Sequence, residues 1–467
     1  MSGPAPRRRR RLRRPSSPPR VCIVRQTDMY EPSVQREAEA LVETGFAVEV
    51  LNMRHPERPA RTVVNGVELT SLPAGLGRSS RHRYLVDYAW FFALAAGTLA
   101  ARHVRRPYTA VQVNTMPDFL VFAAAVPKLL GCPVVVQMNE PSPELAETLF
   151  GPGRTVRVLT WIEQRALAFA DHAFTVTDDL RRRYVERGAD GRRITVVLNG
   201  TDPRVRLGTW APSPNGARHP FTVICHGAIE DRYGQDTIVE AARLLRDAGR
   251  DLRVVLTGRG GAVEDVLRRI DEHGLGDVVR FRGWVAEEEL NDLLHAADAG
   301  IVAQKASPYS HLVHTNKMVD YWIFGLPVVA SRLRATAALY DDSVIEYFPP
   351  GDAAGLARAV ARLQDDPRRS AELARNGRAA HARHGWGVQR EAYLAPFLAL
   401  AGDAAVARPS APTTSTRPSR AAGPAIAQPP PSRTTLDAAR RRHHAATSRG
   451  SAVHALSSGA KRAMKRS

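Results

Sequence analysis

From residue 21 onward, short apolar runs alternate with amphipathic stretches. VCIVR (21–25) has the length of a strand; Pro32 then opens a segment whose apolar positions Val34, Ala38, Leu41 and Val42 share a helical face, and Gly45 closes it before FAVEVL (46–51). The same reading predicts strands at TAVQVN (109–114), PVVVQM (133–138), HAFTVT (172–177) and ITVVLN (194–199), with helices around 84–104, 118–130, 155–170 and 178–187. Strands separated by helices imply a parallel sheet covered on both faces, because a parallel connection must cross over.

The pattern breaks over 203–220, where Pro203, Pro212, Pro214, Pro220 and the pair Asn215-Gly216 mark a linker. It then restarts with FTVICHG (221–227), RVVLTG (253–258), VVRFRG (278–283), AGIVAQ (299–304), PVVAS (327–331) and VIEYF (344–348). The expected architecture is α/β: two Rossmann-like domains, 21–205 and 221–385, face a cleft and are joined by a linker at 206–220. A last helix at 386–402 is expected to cross back onto the first domain.

Composition changes this picture only at the ends. The formal charge is +19, yet residues 1–20 hold eight Arg and no acid, and 403–467 hold twelve basic residues against Asp403 and Asp437. The stretch between them is close to neutral, so the charge belongs to two tails that lack apolar period and are expected to be disordered. A neutral core without a recognition motif excludes a nucleic-acid partner. The tails are open to two readings, attraction to an anionic membrane face or a solvated extension without a partner. Cys22, Cys132 and Cys225 fall in or beside expected strands without metal-ligand spacing, which fits buried thiols in a reducing cytosol. The longest apolar stretch, 88–101, is well short of the roughly 20 residues that span a bilayer. Its helix, with Tyr84, Tyr88, Trp90, Phe91 and Phe92, is open to a membrane-facing or a core reading.

Two clusters carry candidate chemistry. In TNKMVDYWIFGLPVVAS (315–331) a helix places Lys317 and Asp320 on one face near its start, where a cation and free N–H groups suit a diphosphate and a carboxylate suits ribose hydroxyls. The plainer alternative is a surface ion pair. In CHGAIEDRYGQDTIVEA (225–241) a strand ends in His226-Gly227, Arg232 lies in the turn and Gly234 precedes the next helix, a strand–turn–helix in which backbone can approach a ligand closely. TGRGG (257–261) repeats the theme without a dinucleotide or Walker fingerprint.

Taken together, HGAIEDRYG, GRG, FRGWV, LLHAADAGIV and NKMVDYWIFGLPVVAS resemble the C-terminal domain of family 4 (group 1) glycosyltransferases. VQVNTMPDFLVFAAAVPKLLGCPVVVQMNEPSPELAE (111–147) and the stretch 161–202 are similar to the acceptor domain of a bacterial branch. The resemblance covers roughly 21–400 and implies a GT-B fold, a nucleotide-sugar in the second domain, a sugar or lipid-linked acceptor in the first, and transfer with retention without a metal or other cofactor. On it, Arg232 and Lys317 stabilise the leaving diphosphate; His226, Gly227, Gly258, Arg259, Gly260 and Asp320 bind the donor; Asp118, Asn139 and Glu140 lie on the acceptor side. The expected product is a cell-surface polysaccharide or lipid-linked precursor, made in the cytoplasm or peripherally at the inner face of the membrane.

The chain departs from the family's pattern at three places. Many members carry two glutamates eight positions apart; here the second is Asp320 and the first is Leu312. Ala228 and Tyr233 stand where many members have Arg and Lys, and Asn139-Glu140-Pro141 stands where His-Asp-Pro is usual. These departures support an alternative, a non-catalytic nucleotide-sugar-binding or scaffold protein of the same fold.

Overall fold

The computed structural model describes residues 18–27, 32–54, 59–74, 81–200 and 220–401, all within one compact unit. The expected tails and linker lie outside the described residues, except Pro18, Pro19, Arg20 and Pro220; Arg20, expected in the first tail, instead opens β1.

The first half runs β1 (Arg20–Arg25), α1 (Pro32–Glu43), β2 (Ala47–Met53), β3 (Arg61–Val64), β4 (Val67–Leu72), α2 (Arg81–Arg105) and β5 (Ala110–Asn114). A tight helical turn over Asp118–Ala124 leads into α3 (Ala125–Leu129), followed by β6 (Val134–Met138), α4 (Ser142–Phe150), α5 (Arg154–Phe169), β7 (His172–Thr175), α6 (Asp178–Glu186) and β8 (Ile194–Val196). Its sheet has the order β3-β4-β2-β1-β5-β6-β7-β8, parallel throughout except for the β3–β4 hairpin. That hairpin turns on Asn65 and Gly66, both at positive φ (49° and 80°), the conformation that twists two antiparallel strands together.

The second half runs β9 (Phe221–His226), α7 (Gln235–Asp247), β10 (Leu252–Thr257), α8 (Val263–Glu272), β11 (Val279–Phe281), α9 (Glu287–His295) and β12 (Ala299–Val302). It continues through α10 (Asn316–Ile323), β13 (Val328–Ser331), α11 (Arg334–Leu339), β14 (Ile345–Phe348), α12 (Ala353–Asp365), α13 (Pro367–His384) and α14 (Trp386–Ala401). The all-parallel order β11-β10-β9-β12-β13-β14 is that of a dinucleotide-type Rossmann sheet, and it reverses direction between β9 and β12. Ligands of such sheets lie at that reversal, beyond the carboxyl ends of the strands.

Each sheet buries side chains on both faces. On one face of the first sheet Phe91, Ala95 and Leu99 of α2 join Ala166 and Leu167 of α5; on the other, Val34, Ala38 and Leu41 of α1 join Trp386, Tyr393, Leu394 and Phe397 of α14. The last helix is thereby anchored to the first sheet, and the Tyr393 hydroxyl donates to Gln112 Oε1 at 2.8 Å. Among the α2 aromatics, Phe91 is core and Tyr88 and Phe92 pack on Phe119, while Trp90 is exposed with its indole N–H on the Pro73 carbonyl. Cys22, Cys132 and Cys225 are buried free thiols; burial pushes the first two up to about 12. Among the described residues no helix is long and apolar enough to cross a membrane.

Candidate active site

The turns that follow β9, β10 and β11 are laced together by backbone hydrogen bonds: Gly227 N to Thr257 O at 2.9 Å, Ile229 N to Arg259 O at 3.0 Å and Gly258 N to Gly283 O at 2.7 Å. The contact is so close that a Cβ on Gly258 (φ 143°) would lie 1.7 Å from the Gly227 carbonyl oxygen. Gly234 (φ 70°) closes the β9 turn against β12's exit, where a Cβ would lie 1.9 Å from the Ala303 carbonyl oxygen. Two glycines are therefore demanded by sterics at the reversal point itself. Beside them opens a cavity of about 290 Å³ lined by His226, Gly227, Ala228, Thr257, Gly258, Arg259, Trp284, Val285 and Leu290. Arg259 is exposed at its rim, and Gly260 lies against the Ile229 carbonyl.

Helix α10 aims its first turn at the same place. Thr315 caps it, its hydroxyl accepting from Lys317 N. The Lys317 stem then runs against Gly227, its Cε 3.0 Å from where a Cβ would stand. Its ammonium sits 4.4 Å from the centroid of the Tyr233 ring, and the Arg232 guanidinium carbon lies 4.8 Å from the same centroid. Burial, reinforced by the Arg232 charge, holds the Lys317 ammonium below its ordinary value. One turn along, Asp320 is buried and its Oδ2 lies 3.6 Å from His226 Nε2. Lys317 and Asp320 thus reach toward different neighbours, Tyr233 and His226, and the structure brings Arg232, Lys317, Asp320, His226, Gly227 and Gly258 together.

The opposite wall comes from the first half. Asn139 and Glu140 follow β6, with Gln137 Nε2 donating to Asn139 Oδ1 at 2.7 Å. Tyr309, from the segment between β12 and α10, donates its hydroxyl to Glu140 Oε2. The Tyr309 phenol also bears on Tyr233, and Glu140 and Arg232 act on Tyr233 with opposite signs, so a line of contacts runs from the Glu140 carboxylate to the two cations. The rest of that segment docks on the first half: Thr177 Oγ1, while capping α6, donates to Leu312 O at 2.6 Å, and Asn199 Nδ2 donates to His314 O at 3.4 Å. Leu312, at the position where many relatives carry a glutamate, is buried in the apolar cluster of the first sheet.

Asp118 is a correction. Its expected place was the acceptor side, but it is buried at the start of the turn after β5, beside Ser142 and near Glu163, and burial pushes its carboxyl up to about 7. It belongs to an interior polar cluster in which Arg187 reaches Glu163 Oε1 at 3.0 Å and Glu144 Oε1 at 2.6 Å. Conversely, the sequence does not single out Tyr309 or Trp284, and there Tyr233 stands only as a missing lysine. Trp284 had a signal in FRGWV, an aromatic directly after a strand-end glycine; Tyr309 had none, because its partner Glu140 is 169 residues away.

Two family models match the chain, a glycosyl transferase 4-like domain over residues 30–200 and glycosyl transferases group 1 over residues 220–366. The chain belongs to the family 4 (group 1) glycosyltransferases. Among relatives of this family, a 2-deoxystreptamine glucosyltransferase of Streptomyces kanamyceticus is 28% identical, covering 72% of this chain and 89% of the relative. A phosphatidyl-myo-inositol mannosyltransferase of Propionibacterium freudenreichii is 30% identical over 55% of this chain and 61% of its own length. Two solved glycosyltransferase-like structures share the GT-B fold: sucrose-phosphate synthase from Thermosynechococcus elongatus (TM-score 0.62, 18% identity, 81% of this chain and 98% of that one) and Anabaena HepE in complex with UDP-glucose (TM-score 0.60, 17%, the same coverage).

Proposed function

We propose that this glycosyltransferase moves a sugar, with retention, from a nucleotide-sugar held by 221–385 to a cell-surface polysaccharide or lipid-linked acceptor facing 21–205, at the cytoplasmic face of a membrane. The observation that carries this reading is the pair of cations, Arg232 and Lys317, gathered over one Tyr233 ring beside the Gly227 backbone. Two positive charges so close disfavour each other, and a partly desolvated ammonium is costly; a diphosphate offsets both. As the bond from the anomeric carbon to the diphosphate breaks, the electron pair leaves with the phosphate, and these cations stabilise the charge that develops there. The protein supplies that neutralisation itself, so the proposal gives donor binding no metal. The new bond forms from an acceptor oxygen on the same face, and its proton passes to the leaving phosphate. Glu140, oriented by Tyr309, accepts a hydrogen bond from the incoming hydroxyl. Asp320 takes ribose hydroxyls, and the cavity beside Trp284 takes the remainder of the nucleotide. Glucosyl and mannosyl transfer in the names of relatives, and UDP-glucose in a fold neighbour, support the donor class.

The scaffold alternative draws on Leu312, which lies in the core where many relatives have a charge. Thermal-shift measurements against UDP-, GDP-, ADP- and dTDP-sugars separate the readings, since a ligand at 100 times its Kd adds about 2.7 kcal/mol. One donor class is expected to stabilise the chain and to release nucleoside diphosphate, and Lys317→Ala to abolish both. A flat response to every donor overturns the proposal; binding without release under any acceptor extract favours the scaffold.

A further inference from the structure

We propose that the α4–α5 hairpin is a docking surface for an anionic phospholipid membrane, seating the cleft against the bilayer. Along α5 the exposed positions are Arg154, Thr155, Arg157, Val158, Trp161, Arg165 and Ala168, and all but Thr155 fall on one stripe of the helix. The opposite stripe, with Glu163, Ala166 and Leu167, enters the core. A helix covering a soluble sheet ordinarily turns a polar face outward. Here the outward face carries Val158 (56% exposed) and Trp161 (60%), and α4 ends beside it in Leu149 (52%) and Phe150 (69%).

Single exposed apolar residues are ordinary, but four on one hairpin form a patch. Its charge identifies the occupant. Arg154, Arg157 and Arg165 are exposed around the apolar side chains, and none has an ion-pair partner among the described residues. The hairpin's carboxylates are turned away: Glu144 and Glu163 are buried and paired with Arg187, and Glu147 is half-buried. The Arg165 guanidinium lies 5.5 Å from the Trp161 ring centroid, an arrangement suited to the headgroup layer, where the indole meets the acyl boundary and guanidinium meets phosphate. A protein partner or second copy with this mixed surface would need its own acids opposite three arginines; the lipid phosphates supply them as a continuous sheet.

Placement ties the patch to the reaction. The same α4 begins beside Glu140, and Thr148 Oγ1 accepts from Tyr309 N at 3.4 Å, so the helix borders the cleft along its length. Its nine residues span about 13 Å, so the exposed Phe150 lies one short helix away from Glu140 along the chain. The choice of bilayer thus extends the reading of a lipid-linked acceptor given above.

The test is flotation of the full chain with phosphatidylcholine vesicles, with and without phosphatidylglycerol, at low and high salt. High salt screens the Arg-rich termini and leaves apolar insertion. Expected is binding to anionic vesicles that persists in part at high salt and falls at least about tenfold in a Phe150→Ser/Trp161→Ser variant with an unchanged thermal midpoint. Trp161→Phe should keep the affinity while losing part of the tryptophan quenching by brominated acyl chains. Should the double variant prove less stable, Arg154→Gln/Arg157→Gln gives the same readout through charge, with selectivity for anionic vesicles lost. Equal partitioning of wild type and variants overturns the proposal, as does equal binding to neutral vesicles. A vesicle-free dimer that the double variant dissolves also overturns it, assigning the patch to self-association. None of these readouts uses a donor or turnover, so failure of the transfer reading and failure of docking are separately visible.

Discussion

Tyr233 stands where many relatives have a lysine, and in the sequence it reads as a lost charge. In the fold its ring lies under both remaining cations, Arg232 and Lys317, so the aromatic face gathers charge that a third cation would scatter. Tyr309 is its counterpart across the cleft, donating to Glu140. Removing that hydroxyl takes one hydrogen bond from a charged group, an interaction of about 1.5–3 kcal/mol. Tyr309→Phe is therefore expected to lower kcat/KM by about ten- to a hundredfold while leaving the donor's thermal shift intact, as steady-state kinetics beside a melting curve would reveal. An equal loss of donor binding would place Tyr309 with the diphosphate instead of the acceptor. Lys317, Asp320 and Arg232 were legible as candidates because each lies within a few residues of a strand or helix end. Their mutual approach was not, because nothing local relates position 232 to position 317.

Among the elements, the strands follow the apolar runs closely, and the β3–β4 hairpin and helix α4 are the ones the pattern misses. The β3–β4 hairpin carries its own signature, Val-Asn-Gly-Val at 64–67, within a stretch too polar on one face to stand out. Helix α4 is only nine residues long, too short for its apolar positions to show a period of their own. The turn after β5 shows how packing of several elements can reverse a chemical reading. Asp118 at its start looks like a cleft carboxylate in sequence, yet α4, α5 and α6 cover it with Ser142, Glu163 and Tyr184. Burial raises its carboxyl from 3.8 to about 7, so the folded state holds the proton more tightly than the unfolded chain. The stability it contributes is present below the unfolded value and is lost as pH rises through the folded one, up to about 4 kcal/mol across that window. Asp118→Asn, which cannot ionise, should be more stable than wild type at pH above 7, with the gap closing toward pH 4 in urea denaturation series. A gap independent of pH would mean the carboxyl is not desolvated.

At the scale of the molecule, two described segments of the second half pack into the first. The stretch before α10 inserts Leu312 into the core of the first sheet, and α14 returns Trp386, Tyr393, Leu394 and Phe397 to its other face. Phe397 is fully buried, with Phe174 and Tyr393 ring centroids at 6.2 and 5.3 Å. Phe397→Ala should cost about 3–5 kcal/mol, seen as a lower denaturation midpoint, because a residue of the second half's final helix completes the first half's core. A loss under about 1 kcal/mol would show that α14 detaches without consequence. The sequence by itself determined the alternation of strand and helix, the doubling of the α/β pattern, the family, and which short turns hold glycine and charge. These are local properties, set by side-chain period and backbone sterics over a few residues. Only the tertiary structure decided that Tyr233 and Tyr309 join Arg232 and Lys317 to Glu140, that Asp118 is interior, and that Val158, Trp161 and Phe150 face outward among arginines. Those facts depend on which elements pack against which, and burial and the fields of distant charges are created by that packing alone.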